Sequence, residues 1–182
     1  SMSTIITSID PGSPAMRAGL QPGQQLLSIN GHAVVDVLDY RFYGYDPVSH
    51  LSLKNKDGST QKLTIHKAEG EDLGLNFDSY LMDEMRSCAN HCIFCFVDQM
   101  PPGMRQTLYF KDDDARLSFL QGNYITLTNL TEREAQRIID LRISPINVSV
   151  HTTDPKLHCT MLGNKNAERS LDYIRAFCKA GI

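Results

Sequence analysis

Apolar and polar positions alternate along the first third of the chain, in short runs separated by glycine and proline turns. The runs predict strands at 5–9, 26–29, 33–35, 51–53 and 63–65. Ser13 and Asp36 are typical helix caps, and Pro14 stands in the first turn of the short helix that Ser13 begins. Asn30-Gly31 favours a tight hairpin turn. The pattern therefore predicts a small β-rich module that ends near Lys67.

After residue 80 the pattern changes to short strands that alternate with helices. Strands are predicted at 80–85, 124–127 and 146–150. Thr131 and Glu134 form a capping box, and Asn166 is the predicted cap of the last helix. This alternation favours parallel βαβ units, and hence an α/β barrel or open sheet. Because Ile182 looks like the start of a further strand, we expect a partial barrel that is truncated at its C-terminus.

The acidic stretch 68–72 separates the two patterns and is too short for a disordered tether. We therefore predict a first domain over 2–67, a connecting segment over 68–79 and an α/β domain over 80–182. Residues 111–114 carry a lysine and three aspartates, which are typical of a solvated helix N-terminus favoured by the helix dipole. A metal site is the alternative there.

Composition narrows the function classes. The 182 residues, 41% hydrophobic and 21% charged, are those of an ordinary globular protein, and a net charge of −3 provides no basic patch for nucleic acid or an anionic membrane. Neither is expected as a partner. Without an apolar span or a recognisable leader, we predict a cytoplasmic location. Three of five cysteines are clustered, which favours a metal over disulfides, while Cys159 and Cys178 are expected to be buried structural thiols.

Cys88, Cys92 and Cys95 lie within eight residues, in the spacing C-x3-C-x2-C. Three thiolates on a four-iron cube leave one iron open for a substrate or cofactor. Structural zinc requires four ligands, usually in two C-x2-C-like pairs, and only one such pair is present. The spacing favours an iron–sulfur cluster, with zinc, ligated also by His91, as the alternative.

Phe94 immediately precedes the last of these cysteines, and C-x3-C-x-aromatic-C resembles the signature of radical S-adenosylmethionine (SAM) enzymes. The resemblance implies that Cys88, Cys92 and Cys95 hold a [4Fe-4S] cluster. It also implies that the open iron binds the amino and carboxylate groups of SAM, with Phe94 near the adenine.

Further cofactor contacts are predicted from the same resemblance. The Gly-Gly-Glu that often follows the second strand in these enzymes is absent, and Thr128-Asn129 stands in its place. Thr126, Thr128 and Asn129 are therefore predicted to supply oxygen acceptors to SAM, with a polar strand end facing solvent as the alternative. The stretch that begins at 148 resembles the third βα unit of radical SAM barrels. His151 lies there at a strand end, where barrel enzymes keep their chemistry, and it is a candidate cofactor contact or a packing residue.

Residues 11–31 resemble the central part of a PDZ domain, through their Pro-Gly-Ser-Pro-Ala, Ala-Gly-Leu-Gln-Pro-Gly and Leu-Ser-Ile-Asn-Gly stretches. PDZ domains capture peptide C-termini by strand addition beside a carboxylate-binding loop. No such loop precedes the first matched strand, but Leu73–Phe77 has the required character in permuted order. We favour the alternative, that Leu73–Phe77 is a plain strand leading into the next domain.

The order of these modules is similar to that of a bacterial family, the PDZ-containing radical SAM proteins with a C-terminal domain of unknown function. The resemblance implies an oxidoreductase that reductively cleaves SAM at a [4Fe-4S] cluster, with flavodoxin or ferredoxin as the electron donor. A protein or peptide C-terminus bound by the PDZ-like module is a candidate substrate. No catalytic residue is assigned, and the chain without later barrel strands is expected to be inactive. The alternatives are a non-catalytic PDZ-like interaction protein and a zinc-stabilised interaction protein.

Overall fold

The structure is a computed structural model that describes residues 4–79 and 81–182. The chain divides into two compact units, one that ends at Glu84 and one that runs from Met85 to Ile182. This division lies later in the chain than the predicted boundaries at 67 and 79. The reason is a strand within the predicted connecting segment, described below.

The first unit is a β-rich α/β module. In chain order its elements are β1 (Ile6–Ile9), α1 (Pro14–Arg17), β2 (Gln25–Ile29), β3 (His32–Ala33), α2 (Val37–Tyr43), β4 (Val48–Lys54), β5 (Thr60–His66) and β6 (Leu75–Phe77). Strands β3, β2, β4 and β5 form an antiparallel sheet in that order, and β1 pairs with β6. The side chain of Ser13 caps α1, and that of Asp36 caps α2, as predicted.

The apolar face of the four-stranded sheet forms the core of the first unit. Leu26, Leu51 and Leu53 are fully buried, and Ile65 joins them from β5. On either side of the two leucines of β4, His50 and Lys54 are exposed, and Ser52 between them is half-buried, so the predicted alternation is confirmed. Burying a leucine or isoleucine side chain contributes about 1.5–3 kcal/mol relative to leaving it in water.

Strand β6 belongs to the first unit. It runs antiparallel to β1, with Ile9 opposite Leu75 and Ile6 opposite Phe77. Just before it, the amide of Asp10 donates to the carbonyl of Gly74 at 2.8 Å. Leu73–Phe77 is therefore not the plain connection that we favoured, because its backbone is bonded to the first residues of the same unit.

Gly74 is required for this arrangement. Its φ is +85°, and a Cβ atom at this position would lie 2.2 Å from Cβ of Ser13. We expect Gly74→Ala to destabilise the first unit by at least about 2 kcal/mol, since left-handed backbone strain and a steric overlap add. Gly58→Ala is the matched control, because φ there is +86° and nothing lies within 4 Å. Equal losses of melting temperature in the two variants would contradict the steric argument.

The second unit contains a parallel βαβ arrangement, as predicted. Its elements are a 3-10 helix (Gln106–Tyr109), α3 (Ala115–Gln121), β7 (Tyr124–Ile125), α4 (Glu132–Asp140), β8 (Asn147–Val148), α5 (Pro155–Leu162) and α6 (Glu168–Ala180). Strands β7 and β8 are parallel, with Ile125 opposite Val148. The capping box of Thr131 and Glu134 at the start of α4 is also confirmed.

Other predictions for the second unit are corrected. Residues 81–85 are not a strand, and Tyr80 lies outside the described residues. Helix α6 is capped at Ala167 instead of Asn166. Cys159 is only half-buried and Cys178 is exposed, because α5 and α6 bury other side chains, Leu162 and Phe177 among them. Across the described residues, every helix is too short or too polar to cross a bilayer.

Candidate functional site

The three clustered cysteines lie on one loop of the second unit, which we call the cysteine loop (residues 86–98). Its first residues are bonded to the segment before α3. The amide of Cys88 donates to the carbonyl of Lys111 at 2.7 Å, and Ser87 forms an antiparallel bridge with Asp112. The loop is thus fixed at its start by backbone hydrogen bonds.

The middle of the cysteine loop is bonded to the end of α5. The amide of His91 donates to the carbonyl of Leu162 at 2.9 Å, and that of Ile93 to Met161 at 3.0 Å. These carbonyls belong to the last turn of the helix, where intrahelical partners run out. The approach is close, because a Cβ on Gly163 would lie 2.4 Å from the carbonyl oxygen of His91.

Asn90, between the first two cysteines, is the most buried residue of the loop at 1% exposure. Its side-chain nitrogen donates to Thr126 Oγ1 at 2.9 Å. Its side-chain oxygen accepts from Thr128 Oγ1 at 2.9 Å and from Asn164 Nδ2 at 2.8 Å. Its carbonyl accepts from Lys111 Nζ at 3.2 Å. Sequence reasoning missed this residue, although a polar residue between two cysteines was a visible signal.

The three cysteines form no disulfide and are half-buried. Burial raises the pKa of Cys88, and burial together with the neighbouring Cys88 and Cys95 raises that of Cys92. The thiols are therefore close enough to interact electrostatically. Among the described residues, no group of three or more His, Cys, Asp or Glu side chains is arranged to hold a metal ion.

The donor chemistry nevertheless suits a three-thiolate cluster. The cysteine loop supplies three thiols on one backbone segment that is bonded at its start and middle. Structural zinc takes four closed ligands, whereas the loop supplies three thiols. Three thiols agree in number with an iron–sulfur cluster that leaves one iron open.

Lys111 places a positive charge beside the thiols. Its ammonium group forms an ion pair with Asp98 at 2.9 Å. That partner raises the pKa of Lys111, and the thiolate forms of Cys95 and Cys88 raise it further. A nearby cation stabilises thiolates, which are the ligand form of cysteine. Lys111 therefore favours the thiolate forms of Cys88 and Cys92, against the effect of burial.

Two of the predicted cofactor contacts lie together. The rings of Phe94 and His151 are 4.3 Å apart between centroids and tilted by 57°. The imidazole Nε2 of His151 also lies 3.4 Å from Ser149 Oγ. The two side chains thus form a ring pair beside the last thiol of the loop, while a role in cofactor binding stays a prediction.

The side chains of the other three predicted cofactor contacts are hydrogen-bonded to protein groups. The Thr126 hydroxyl bonds to Asp113, and the Thr128 hydroxyl donates to Asn90. Asn129 Nδ2 donates to the carbonyl of Ser87 at 3.1 Å. These half-exposed residues join the end of β7 to the cysteine loop, and their role as oxygen acceptors for SAM stays a prediction.

The aspartate run before α3 is partly buried, which corrects the prediction of a solvated segment. Asp114 does cap α3, but it is 1% exposed and pairs with the Arg116 guanidinium at 2.7 Å. Burial alone would raise its pKa, but hydrogen bonds from Arg116 and the Arg86 amide hold it below the usual range. Asp113 is 2% exposed and accepts from the amide of Thr126 at 2.6 Å.

Asp113 is expected to make stability depend on pH. Burial raises its pKa, and the charges of Asp112 and Asp114 raise it further; Cys88 also interacts with it. A carboxyl with a raised pKa contributes stability below its unfolded pKa of about 3.9, and this is lost as pH rises through the folded value. The melting temperature of the natural protein should therefore fall relative to that of Asp113→Asn between pH 4 and neutrality. Parallel pH profiles for the two proteins would contradict this.

In the first unit, the backbone amides of Gly74 and Leu75 already have hydrogen-bond acceptors. The Tyr40 hydroxyl donates to Asp72 Oδ1 at 3.0 Å, and the amide of Gly74 donates to the same oxygen at 2.6 Å. The amide of Leu75 donates to the Tyr40 hydroxyl at 3.2 Å. Burial, and then the charge of Asp72, raise the pKa of Tyr40, so it stays a neutral donor. A cavity of about 320 Å³ adjoins this cluster, lined by Tyr40, Arg41, Gly44, Tyr45 and residues 70–73.

Comparison with known families gives two matches. A model of the PDZ domain matches residues 5–54, and a model of the Radical SAM-like domain matches residues 67–182, which is more than half of the chain. The second match begins before β6, within the first unit. No curated protein matches the chain. The order of the two matches is the one predicted from the sequence.

Proposed function

Since the chain belongs to the radical SAM-like domain family, we propose that its cysteine loop holds a [4Fe-4S] cluster at which SAM binds. Cys88, Cys92 and Cys95 are the proposed ligands. The observation that carries the proposal is the loop itself, whose three half-buried thiols lie on a backbone bonded to the segment before α3 and to the end of α5. When bound, such a cluster supplies one-electron reduction of the SAM sulfonium, so the protein would be an oxidoreductase.

The protein groups around the loop have separate roles in this proposal. Lys111 offsets the negative charge that three thiolates bring, while its contact with the carbonyl of Asn90 keeps it against the loop. Phe94 presents an aromatic face to the adenine of SAM, since such rings stack in offset or edge-to-face arrangements. His151, whose ring contacts that of Phe94, helps to orient the phenyl ring.

We extend the proposal to the architecture. The parallel pair of β7 and β8, joined through α4 and followed by α5, supports the interpretation as part of a (β/α) barrel. In such barrels the chemistry lies at the C-terminal ends of the strands. The residues that follow β7 and β8, Thr126 and His151 among them, stand at those ends.

Anaerobic reconstitution with iron and sulfide tests the function. We expect about four irons and four acid-labile sulfides per chain, because three cysteines suit a four-iron cube. After reduction with dithionite, which replaces a flavodoxin or ferredoxin partner, the electron paramagnetic resonance spectrum should change when SAM is added. Zinc in place of iron would support the zinc-stabilised alternative, and a chain that binds neither would support a non-catalytic interaction protein.

The first unit contains the PDZ match, and we call it the PDZ-like unit. We propose that in its observed conformation this unit has a structural role and does not capture a free peptide C-terminus. The amides of Gly74 and Leu75, which a carboxylate would need, are paired with Asp72 and Tyr40. Peptide capture is the second candidate and requires Asp72 to leave this position. It would make a protein or peptide C-terminus a plausible substrate class.

A titration with N-acetyl-leucine separates these two roles. If the structural role is right, the amide resonances of Gly74 and Leu75 stay unchanged in the natural protein and shift in Asp72→Ala. Asp78→Ala serves as the control, because it removes an exposed carboxylate just beyond β6. Shifts of both amides in the natural protein would establish capture of a carboxylate and overturn the structural role.

A further inference from the structure

We propose that Asn90 is the positioning residue of the cysteine loop, and that its side-chain amide sets the direction of the thiols before any cofactor binds. The inference rests on the proposed function, since the thiols matter here as cluster ligands. Asn90 lies two residues from Cys88 and two from Cys92, yet it is buried whereas both thiols are partly exposed. The loop therefore turns the Asn90 amide inward and leaves its thiols partly exposed.

The residue type is specific because the amide both donates and accepts. Its nitrogen donates to Thr126, while its oxygen accepts from Thr128 and Asn164. A leucine of similar size would remove all three hydrogen bonds, and an aspartate would lose the donor to Thr126. With either replacement, Thr126, Thr128 and Asn164 would no longer hold the loop in one position together.

The network around Asn90 extends to a buried carboxylate. The Thr128 hydroxyl donates to the Asn90 side-chain oxygen and lies 2.9 Å from the Thr126 hydroxyl. The Thr126 hydroxyl donates in turn to Asp113, which is buried. The contacts of the Asn90 amide are therefore held in place by a second layer of hydrogen bonds.

Asn90 is also the point where two neighbours of the loop meet. Thr126 and Thr128 follow β7, whereas Asn164 comes directly after the end of α5. The adjacent amides of His91 and Ile93 bond to the same end of α5. Loss of the Asn90 amide therefore weakens the attachment of the loop both to the residues after β7 and to the end of α5.

The test compares Asn90→Ala with Thr128→Val and Asn164→Ala, and each of the last two removes one of the bonds to the Asn90 side chain. Asn147→Ala is the matched control, because its amide donates to the Gly122 carbonyl at 3.0 Å, away from the loop. We expect Asn90→Ala to shorten the lifetime of the reconstituted cluster toward a chelator by about 10- to 100-fold, as for other supporting residues of metal sites. The single-bond variants should show intermediate losses, and Asn147→Ala the natural lifetime.

Two further readouts keep the test decisive. If Asn90→Ala does not fold, the single-bond variants carry the comparison, and natural cluster lifetimes in both would overturn the proposal. Alkylation rates of Cys88 and Cys92 in the metal-free protein, relative to exposed Cys178, report the loop directly. They should change in Asn90→Ala and not in Asn147→Ala, and equal rates would overturn the proposal. A natural protein that binds no iron would instead refute the proposed function, whereas the alkylation result would still decide the role of Asn90.

Discussion

Replacement of Cys88, Cys92 or Cys95 by alanine is expected to abolish iron and sulfide loading. A cube held by three protein thiolates has no fourth protein ligand that can compensate for a lost one. Each single substitution should therefore give an almost complete loss, while the far-ultraviolet circular dichroism stays that of the natural protein. Iron and acid-labile sulfide analysis after anaerobic reconstitution measures the effect.

Cys159→Ala and Cys178→Ala are the matched controls. Both side chains are thiols of the same unit, on α5 and α6, and Cys159 directs its sulfur to the Lys165 carbonyl at 3.5 Å. Both variants should load as much iron as the natural protein. If Cys159→Ala lost the metal as completely as Cys92→Ala, the site would have four protein ligands and the proposed mechanism would fail.

Gly163→Ala should have the second large effect, because α5 and the cysteine loop approach each other there. The added Cβ would lie 2.4 Å from the carbonyl oxygen and 3.0 Å from the carbonyl carbon of His91. Neither atom belongs to a flexible side chain, so the loop backbone has to move. We expect cluster loading to fall by about 10-fold or more, as when other supporting groups of a metal site are disturbed.

Gly122→Ala separates this contact from backbone strain. Gly122 and Gly163 both end a helix in the left-handed conformation, with φ of +78° and +57°. Each alanine therefore brings a strain of about 1–2 kcal/mol. At Gly122 the nearest atom is 3.7 Å away, on the Asn147 side chain. Equal iron contents in the two variants would show that the close approach at Gly163 does not matter.

Features that depend on neighbouring residues were predictable from the sequence. The caps at Ser13, Asp36 and Thr131 each bond to an amide two or three residues later, so a short window of sequence contains both partners. The hairpin at Asn30-Gly31 is equally local, since both residues have the positive φ that the turn requires. The cysteine spacing was informative for the same reason.

Features that depend on distant partners were not predictable. Burial of Asp113 depends on Thr126, and the role of Asn90 depends on Thr128 and Asn164, which no periodicity connects. The strand predicted over 124–127 is shorter than expected because Leu127 has a φ of +60°, through which a strand cannot continue.

The pairing of β1 with β6 also determines the order of events during synthesis on the ribosome. Ile6 can pair with Phe77 only after that distant residue has been synthesised, whereas the hairpin of β4 and β5 joins residues close in sequence. Contacts of high sequence separation form late, so β1, which is also bonded to Gln24 nearby in the chain, is expected to pair with β6 last. A fragment that stopped at residue 67 would lack β6 and would expose the backbone of β1 as an edge open to other chains. Expression of the PDZ-like unit by itself therefore calls for a boundary at residue 84.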